Sequence, residues 1–189
     1  MQIQIDRLLL NGLGEGSYGE NLVHVKGAIP GDTVEVTAIR SKKKRIRASL
    51  DKIIRPSPDR VTPTCQYHKT CGGCDLAHME EDARRKAIST AVGKAMRYKD
   101  DIQVTASSRQ IGHRARIKMT VQNGIVGYLS AGTNDLVEIP QCEIARPEVN
   151  LILTQLRTAL KGSDIISSVE IRSNGVDVHI NATAKQTDR

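Results

Sequence analysis

Three of the four cysteines fall close together, as Cys65-x5-Cys71-x2-Cys74, and the fourth, Cys142, lies far downstream after Pro140. A tight group plus one distant member constrains the fold strongly, because whatever joins them must pin two separate segments of chain together. The N-terminus, Met1-Gln2-Ile3-Gln4-Ile5-Asp6, has no basic stretch followed by an apolar run. No secretory signal is therefore expected, and the cytoplasm is the expected compartment. No apolar run approaches the ~20 residues needed to cross a bilayer, so no membrane partner is expected. In a reducing compartment, clustered cysteines point to metal ligation or catalysis before disulfides.

The spacing admits several readings. A set of clustered thiolates plus a remote one is an iron–sulfur arrangement, in which the last ligand draws a second element onto the first. A zinc site could use Cys65, Cys71 and Cys74 with either Cys142 or His78, since zinc accepts four thiolates or three and an imidazole. Disulfides, or isolated buried thiols, are the remaining alternatives. Between two of the cysteines stand Gly72 and Gly73. Lacking Cβ, they let the backbone turn sharply and bring N–H groups toward sulfur, where they stabilise negative charge.

Residues 1 to about 55 read as all-β. Ile3, Ile5, Leu8 and Leu10 lead into Asn11-Gly12-Leu13-Gly14-Glu15-Gly16-Ser17, which reads as a glycine-rich loop. It superficially matches a dinucleotide fingerprint, but no helix pattern follows it, so a barrel turn is the better reading. Leu22–Val25, Thr33–Ile39 and Ile46–Leu50 are further strand candidates around the turn signal Ile29-Pro30-Gly31-Asp32. Short strands between turns suggest a small barrel, because closure removes unpaired edges. Arg55-Pro56-Ser57-Pro58-Asp59 reads as a linker.

Beyond the linker the pattern is α+β. Apolar residues at spacings of three and four predict a helix over Leu76–Tyr98, weakened near its end by Gly93. Arg114–Val121 and Ile125–Leu129 flank Asn123-Gly124, a two-residue hairpin signal. A helix is expected from Pro147 to about Leu160. A second hairpin is expected to join Ser168–Arg172 to Val176–Ile180 around Asn174-Gly175. The chain stops in Lys185-Gln186-Thr187-Asp188-Arg189, just past a strand, which reads as a truncation more than a natural domain end.

Net charge is +7, and there are four Tyr but no Phe or Trp. The positive balance points to polyanionic partners. The scarcity of aromatics leaves little room for base stacking. Arg40-Ser41-Lys42-Lys43-Lys44-Arg45-Ile46-Arg47 carries six positive charges and no acid. Such a run is often a solvated hairpin face, but at a strand connection of an OB-like barrel it suits nucleic-acid phosphates. Lys42, Lys43, Lys44, Arg45 and Arg47 are the expected contacts, without base specificity. Arg114, Arg116 and Lys118 alternate on one strand, where surface solvation and RNA contact are both open. Exposed strand faces account for His24 and His179.

The stretch Ser57-Pro58-Asp59-Arg60-Val61-x-Pro63-x-Cys65-x5-Cys71-Gly72-Gly73-Cys74-x3-His78 resembles the 23S ribosomal RNA (uracil-5-)-methyltransferases. Gly27-Ala28-Ile29-Pro30-Gly31-Asp32-Thr33-Val34-Glu35-Val36 looks like their TRAM domain, a five-stranded OB-like RNA-binding barrel. His113-Arg114-Ala115-Arg116 and Pro140-Gln141-Cys142 look like their central domain. The resemblance covers almost the whole chain. It implies a mixed β and α+β fold: a TRAM domain over residues 1–56, then an iron–sulfur segment and α+β central domain over 57–189. It assigns Cys65, Cys71, Cys74 and Cys142 as the ligands of a [4Fe-4S] cluster, with His78 not a ligand, and implies RNA, 23S rRNA above all, as partner. No obligatory protein partner is implied.

The family's activity is transfer of a methyl group from S-adenosylmethionine to C5 of uracil. There a catalytic Cys in a C-terminal Rossmann-like domain attacks C6, since C5 is a poor nucleophile until C6 is saturated. This chain departs from that pattern. No strand–glycine loop–helix unit suited to S-adenosylmethionine is legible in it, and all four cysteines are assigned to the cluster. No catalytic residue is therefore expected here, and the cofactor would enter only through an additional C-terminal domain. The chain is expected to be the RNA-recognition portion of such an enzyme, inactive alone, with a structural cluster. A stand-alone TRAM-type RNA-binding protein with a structural iron–sulfur or zinc site is the alternative. A zinc-bound adaptor whose basic patch meets a protein or membrane is a further one.

Overall fold

Ile3 and Ile5 point inward from β1 (Gln2–Leu8), and their alternation with polar neighbours begins a closed barrel in the computed structural model. The structure describes residues 1–98, 102–130 and 133–185. The expected truncated end over 186–189 lies outside the described residues. Two compact units interleave along the chain: Met1–Thr64 with Cys74–Ala106, and Cys65–Gly73 with the residues from Ser107 on.

In the first unit, β1 is joined by β2 (Gly14–Tyr18), β3 (Asn21–Val25), β4 (Thr33–Lys42) and β5 (Arg45–Arg55). They close in the order β1-β2-β3-β5-β4, with β3 and β5 parallel and the other pairs antiparallel. The interior is aliphatic: Ile3, Ile5, Val23, Val25, Ala28, Val34, Val36, Ile46 and Ala48. Two expectations fail here for a common reason. Gly14 and Gly16 lie in a strand, not a loop, because a Cβ at Gly16 would stand 2.0 Å from the Gln4 carbonyl oxygen. Glycine there permits close backbone approach between the neighbouring strands β1 and β2. The linker expected at 55–59 is likewise packed, with Ser57 buried and its N–H donating to the Asp32 carboxylate at 2.9 Å.

Helix α1 (Glu81–Met96) begins five residues later than the spacing predicts. Met79 is bridged to Arg60 in extended conformation and the Glu80 N–H bonds the Asp59 carbonyl at 2.8 Å, which holds 76–80 out of the helix. The Glu80 carboxylate caps the free N–H groups of Asp82 and Ala83. Gly93 is buried, and a Cβ there would meet the Tyr98 carbonyl and Ile102 at 3.8 and 3.9 Å, ordinary contact distances, so the helix runs through it without glycine being required by space.

The second unit is an antiparallel sheet in the order β10-β9-β6-β7-β8, with helix α2 (Pro147–Ala159) on one face. Its strands are β6 (Arg116–Gln122), β7 (Ile125–Leu129), β8 (Leu136–Glu138), β9 (Ile166–Ser173) and β10 (Val178–Ala184). The β6–β7 turn has φ of 51° at Asn123 and 77° at Gly124, the left-handed pair that a tight hairpin needs. Ile117, Met119, Val121, Val126, Val169 and Ile171 pack against Val149 and Leu153 of α2. The short β8 carries no signal in the sequence; its pairing with β7 creates it. Among the described residues no helix is long and apolar enough to cross a membrane.

Candidate cysteine site and nucleic-acid interface

Cys65, Cys71 and Cys142 belong to the second unit, and Cys74 to the first. All four are free thiols, each partly buried. The turn bearing Cys71 is stitched to the end of β7. Its N–H donates to the Tyr67 carbonyl at 2.7 Å, the Gly72 N–H to the Leu129 carbonyl at 3.1 Å, and Cys71 bridges Ser130. The Gly73 N–H points at the Cys71 sulfur, 3.3 Å away. That is the role expected of the glycine pair, a backbone dipole that favours thiolate. Cys142 is held from α2: Asn150 accepts its N–H at 2.9 Å and donates back to its carbonyl at 3.0 Å.

Burial pushes the Cys71 thiol up, and the neighbouring Cys142 and Cys65 push it the same way, while the Gly73 N–H and the Arg114 guanidinium oppose them. A buried thiol with two further thiols beside it is a donor set that a soft, cationic metal centre would suit. The donor chemistry therefore fits such a group. Among the described residues no three of Cys, His, Asp and Glu are gathered as ligands of a single ion. His78, the alternative zinc ligand, is buried in the first unit.

Arg114 does not share the face of Arg116 and Lys118. The ladder of β6 starts at Arg116, and the backbone of Arg114 pairs instead with Ile144 and Arg146, its N–H donating to the Ile144 carbonyl at 2.6 Å. Its half-buried side chain reaches the Gly73 carbonyl at 3.4 Å and lies beside Cys71 and Tyr128. Burial pushes the Tyr128 hydroxyl well above its usual range, with Cys142 adding to the effect and Arg114 opposing it. Alternation could not disclose Arg114's direction, because that depends on where the strand begins. The supporting role of Asn150 had no local signal either.

Lys42, Lys43, Lys44, Arg45 and Arg47 are all exposed on the β4–β5 hairpin. Lys42 pairs with Arg45, so Lys43 and Lys44 form a two-residue turn, and Lys43 adopts a φ of 53°. Arg45 and Arg47 alternate with the inward Ile46 and Ala48 and so point outward. The Lys44 ammonium pairs with Glu20 at 2.8 Å, which lowers the net charge at the turn by one. On the second unit, Arg116 and Lys118 are exposed, whereas β6 buries Ile117 and Met119 on the helix side.

Residues 1–58 match the family model described as tRNA (uracil(54)-C(5))-methyltransferase, TRAM domain. The chain is 31% identical to the 23S rRNA (uracil(1939)-C(5))-methyltransferase RlmD of Shewanella piezotolerans, over 98% of this chain and 45% of that protein. It is 30% identical to the RlmD of Pectobacterium atrosepticum, over 79% of this chain and 35% of that one. Its fold is similar to the Pyrococcus abyssi tRNA (uracil-54, C5)-methyltransferase, solved in complex with S-adenosyl-L-homocysteine, with a TM-score of 0.72 at 22% identity over 98% of this chain and 46% of that one. The chain thus spans less than half the length of these relatives. Residues 1–58 are thus a TRAM domain of the tRNA and 23S rRNA uracil-C5-methyltransferase family, in a chain similar to RlmD along nearly all of its length.

Proposed function

We propose that this chain is the RNA-recognition portion of an S-adenosylmethionine-dependent 23S rRNA (uracil-C5)-methyltransferase. The observation that carries the reading is a TRAM barrel bearing an exposed basic hairpin, within a chain similar to RlmD over 98% of its length. Lys42, Lys43, Lys44, Arg45 and Arg47 contact phosphates, and Arg116 adds a contact from the second unit. Such contacts set position and affinity without reading bases. S-adenosylmethionine binding is assigned to a catalytic domain outside this chain. Among the described residues the sheets are a closed barrel and an antiparallel sheet, not the parallel strand–loop–helix units that hold such a cofactor.

Cys65, Cys71, Cys74 and Cys142 hold a [4Fe-4S] cluster. The reading is supported by the nearness of Cys65 and Cys142 to Cys71 and by the Gly73 N–H aimed at the Cys71 sulfur. Bound there, the cluster supplies structural cross-linking, since methyl transfer to uracil requires no electron. Arg114 offsets the negative charge of the thiolates, and Asn150 orients the Cys142 loop. With all four thiols so engaged, none remains to attack C6 of uracil, and the chain binds RNA without turnover.

A methyl-transfer assay on 23S rRNA with the purified chain tests this: no turnover is expected, and clear turnover overturns it. Anaerobic purification tests the metal reading. A brown protein with a visible-region absorbance shoulder is expected, and a colourless zinc protein would replace the cluster by the zinc alternative.

A further inference from the structure

Glu170 lies buried in the middle of β9, yet it belongs to the sheet face that carries no helix. The register places Arg116 beside Arg172 and His179, Lys118 beside Glu170 and Asn181, and Thr120 beside Ser168 and Thr183. Ile117, Met119, Val169 and Ile171 occupy the opposite face, under α2. The helix-free face of β10-β9-β6 is thus entirely polar. Its three strands span about 10 Å, with successive rows about 7 Å apart.

The carboxylate of Glu170 accepts a hydrogen bond from the Arg116 Nη2 at 2.6 Å and another from the Arg172 Nε. One buried acid therefore holds two guanidiniums side by side on neighbouring strands, which removes much of their rotamer freedom before anything binds. Arg116, Arg172 and Lys118 carry three positive charges on this face against the single charge of Glu170, so the face stays cationic after internal pairing. Both arginine side chains remain about half exposed, at 59% and 52%, and each guanidinium has more donors than its bond to Glu170 uses.

We propose that this face is a second RNA-docking surface, on which Arg116, Arg172 and Lys118 grip the phosphodiester backbone. Charge complementarity selects a polyanion, and paired guanidiniums suit phosphate oxygens better than ammoniums do. Thr120, Ser168, Thr183 and Asn181 continue the face with neutral donors and acceptors, which fit sugar hydroxyls and phosphates. No Phe, Tyr or Trp stands among these positions and the imidazole of His179 is their one ring, so the surface mainly follows the backbone. It rests on the RNA-binding reading above but adds a site outside the barrel, with Arg172 and Glu170 as its unforeseen members.

The test is fluorescence anisotropy with a labelled single-stranded RNA oligonucleotide, titrated into the full chain at several salt concentrations. Replacing Lys118→Gln and Arg172→Gln together should weaken binding at least about tenfold and lower the salt slope by about two, one for each lost phosphate contact. Asn181→Glu, on the exposed edge strand, adds a negative charge without removing an ion pair and should weaken binding with an unchanged thermal melt. If these variants bind as the wild type does while Lys43→Asn on the barrel hairpin binds less, RNA docks on the barrel alone and the second surface is refuted. If the wild type itself binds no RNA at low salt, the RNA-recognition reading falls, and this inference with it. An acidic protein partner would leave every variant's RNA affinity unchanged, which also counts against it.

Discussion

The Arg60 guanidinium closes on the Asp32 carboxylate, with Nη2 at 2.5 Å from Oδ2 and Nε at 3.1 Å from Oδ1, where Asp32 is wholly buried. The same carboxylate takes the N–H groups of Ile29 and Ser57 at 2.8 and 2.9 Å. Arg60 also donates to the Gly27 carbonyl at 2.9 Å. This one acid therefore organises the Ile29-Pro30-Gly31-Asp32 turn and fastens the chain after the last barrel strand back onto the barrel.

Removing either partner should leave a buried group unpaired, at a cost of about 3–5 kcal/mol. Asp32→Asn and Arg60→Ala should both lower the denaturant midpoint, and a double variant should fall well short of their sum. Additive losses in the double-mutant cycle would contradict a direct pairing.

The pH dependence of that loss has a definite sign. Burial raises the Asp32 pKa, but Arg60 and the two backbone donors outweigh it, holding the carboxyl below its ordinary 3.8. A depressed folded-state pKa gives stability that is present above the unfolded value and lost as pH falls through the folded one. The gap between wild type and Asp32→Asn should therefore be full at about pH 7 and shrink only in acid below the ordinary carboxylate range. Unfolding curves across that range check it, and a gap that closes near neutrality would be the wrong result.

Gly16 is a position where size, not conformation, decides. A Cβ placed there meets the Gln4 carbonyl oxygen at 2.0 Å, a backbone atom with no rotamer to change. Gly16→Ala should cost more than the about 1–3 kcal/mol of ordinary overpacking, read as a fall in melting temperature. Gly19, also in the barrel region, has nothing within 4 Å of the same added atom. Its alanine variant should pay only for the positive φ of 58°.

Arg114 and Arg116 should separate cleanly in function. Arg114→Gln, half-buried beside Cys71 and Tyr128, should leave the salt slope of RNA binding unchanged and destabilise the metal-loaded protein. Arg116→Gln should lower the slope by about one and leave the cysteine centre's absorbance as it was. A matched effect of both on the slope would mean that the two arginines share a face after all.

Loss of the metal centre should loosen the fold and weaken RNA binding together. Oxidative or chelating removal, or Cys71→Ser, should lower the melting temperature and raise the RNA dissociation constant in the same sample. Unchanged thermal stability after complete loss of visible absorbance would count against a structural cluster.

Several elements were legible in the residues because their causes are local. Asn123-Gly124 predicts a tight hairpin because few other residues tolerate a positive φ at both positions, and β7 begins at Ile125 as expected. Pro147 marks the start of α2 because its missing N–H is one the first helical turn leaves unpaired anyway. Alternation over Thr33–Ile39 puts Val34 and Val36 inside the barrel. The basic run is exposed because solvation of six charges leaves it no alternative.

Other features were set by contacts between distant residues. Gly14-Glu15-Gly16 reads as a loop by composition, and only the neighbouring Gln4 and Ala28 backbones explain why a strand needs glycines there. Leu76–Glu80 carries a helical spacing, yet a turn closed by the Met79 N–H on the Leu76 carbonyl, with pairing to Asp59 and Arg60, holds it out of the helix. By itself the sequence determined most of the strands, the bulk of both helices, the basic hairpin, the spacing of the four cysteines and the family resemblance, all of which follow from local chemistry or motif. Only the tertiary structure decided that Arg114 turns toward Cys71, that Asn150 holds Cys142, and that Glu170 joins Arg116 to Arg172. Each of those depends on register between strands or on packing across many residues, which one-dimensional spacing does not encode.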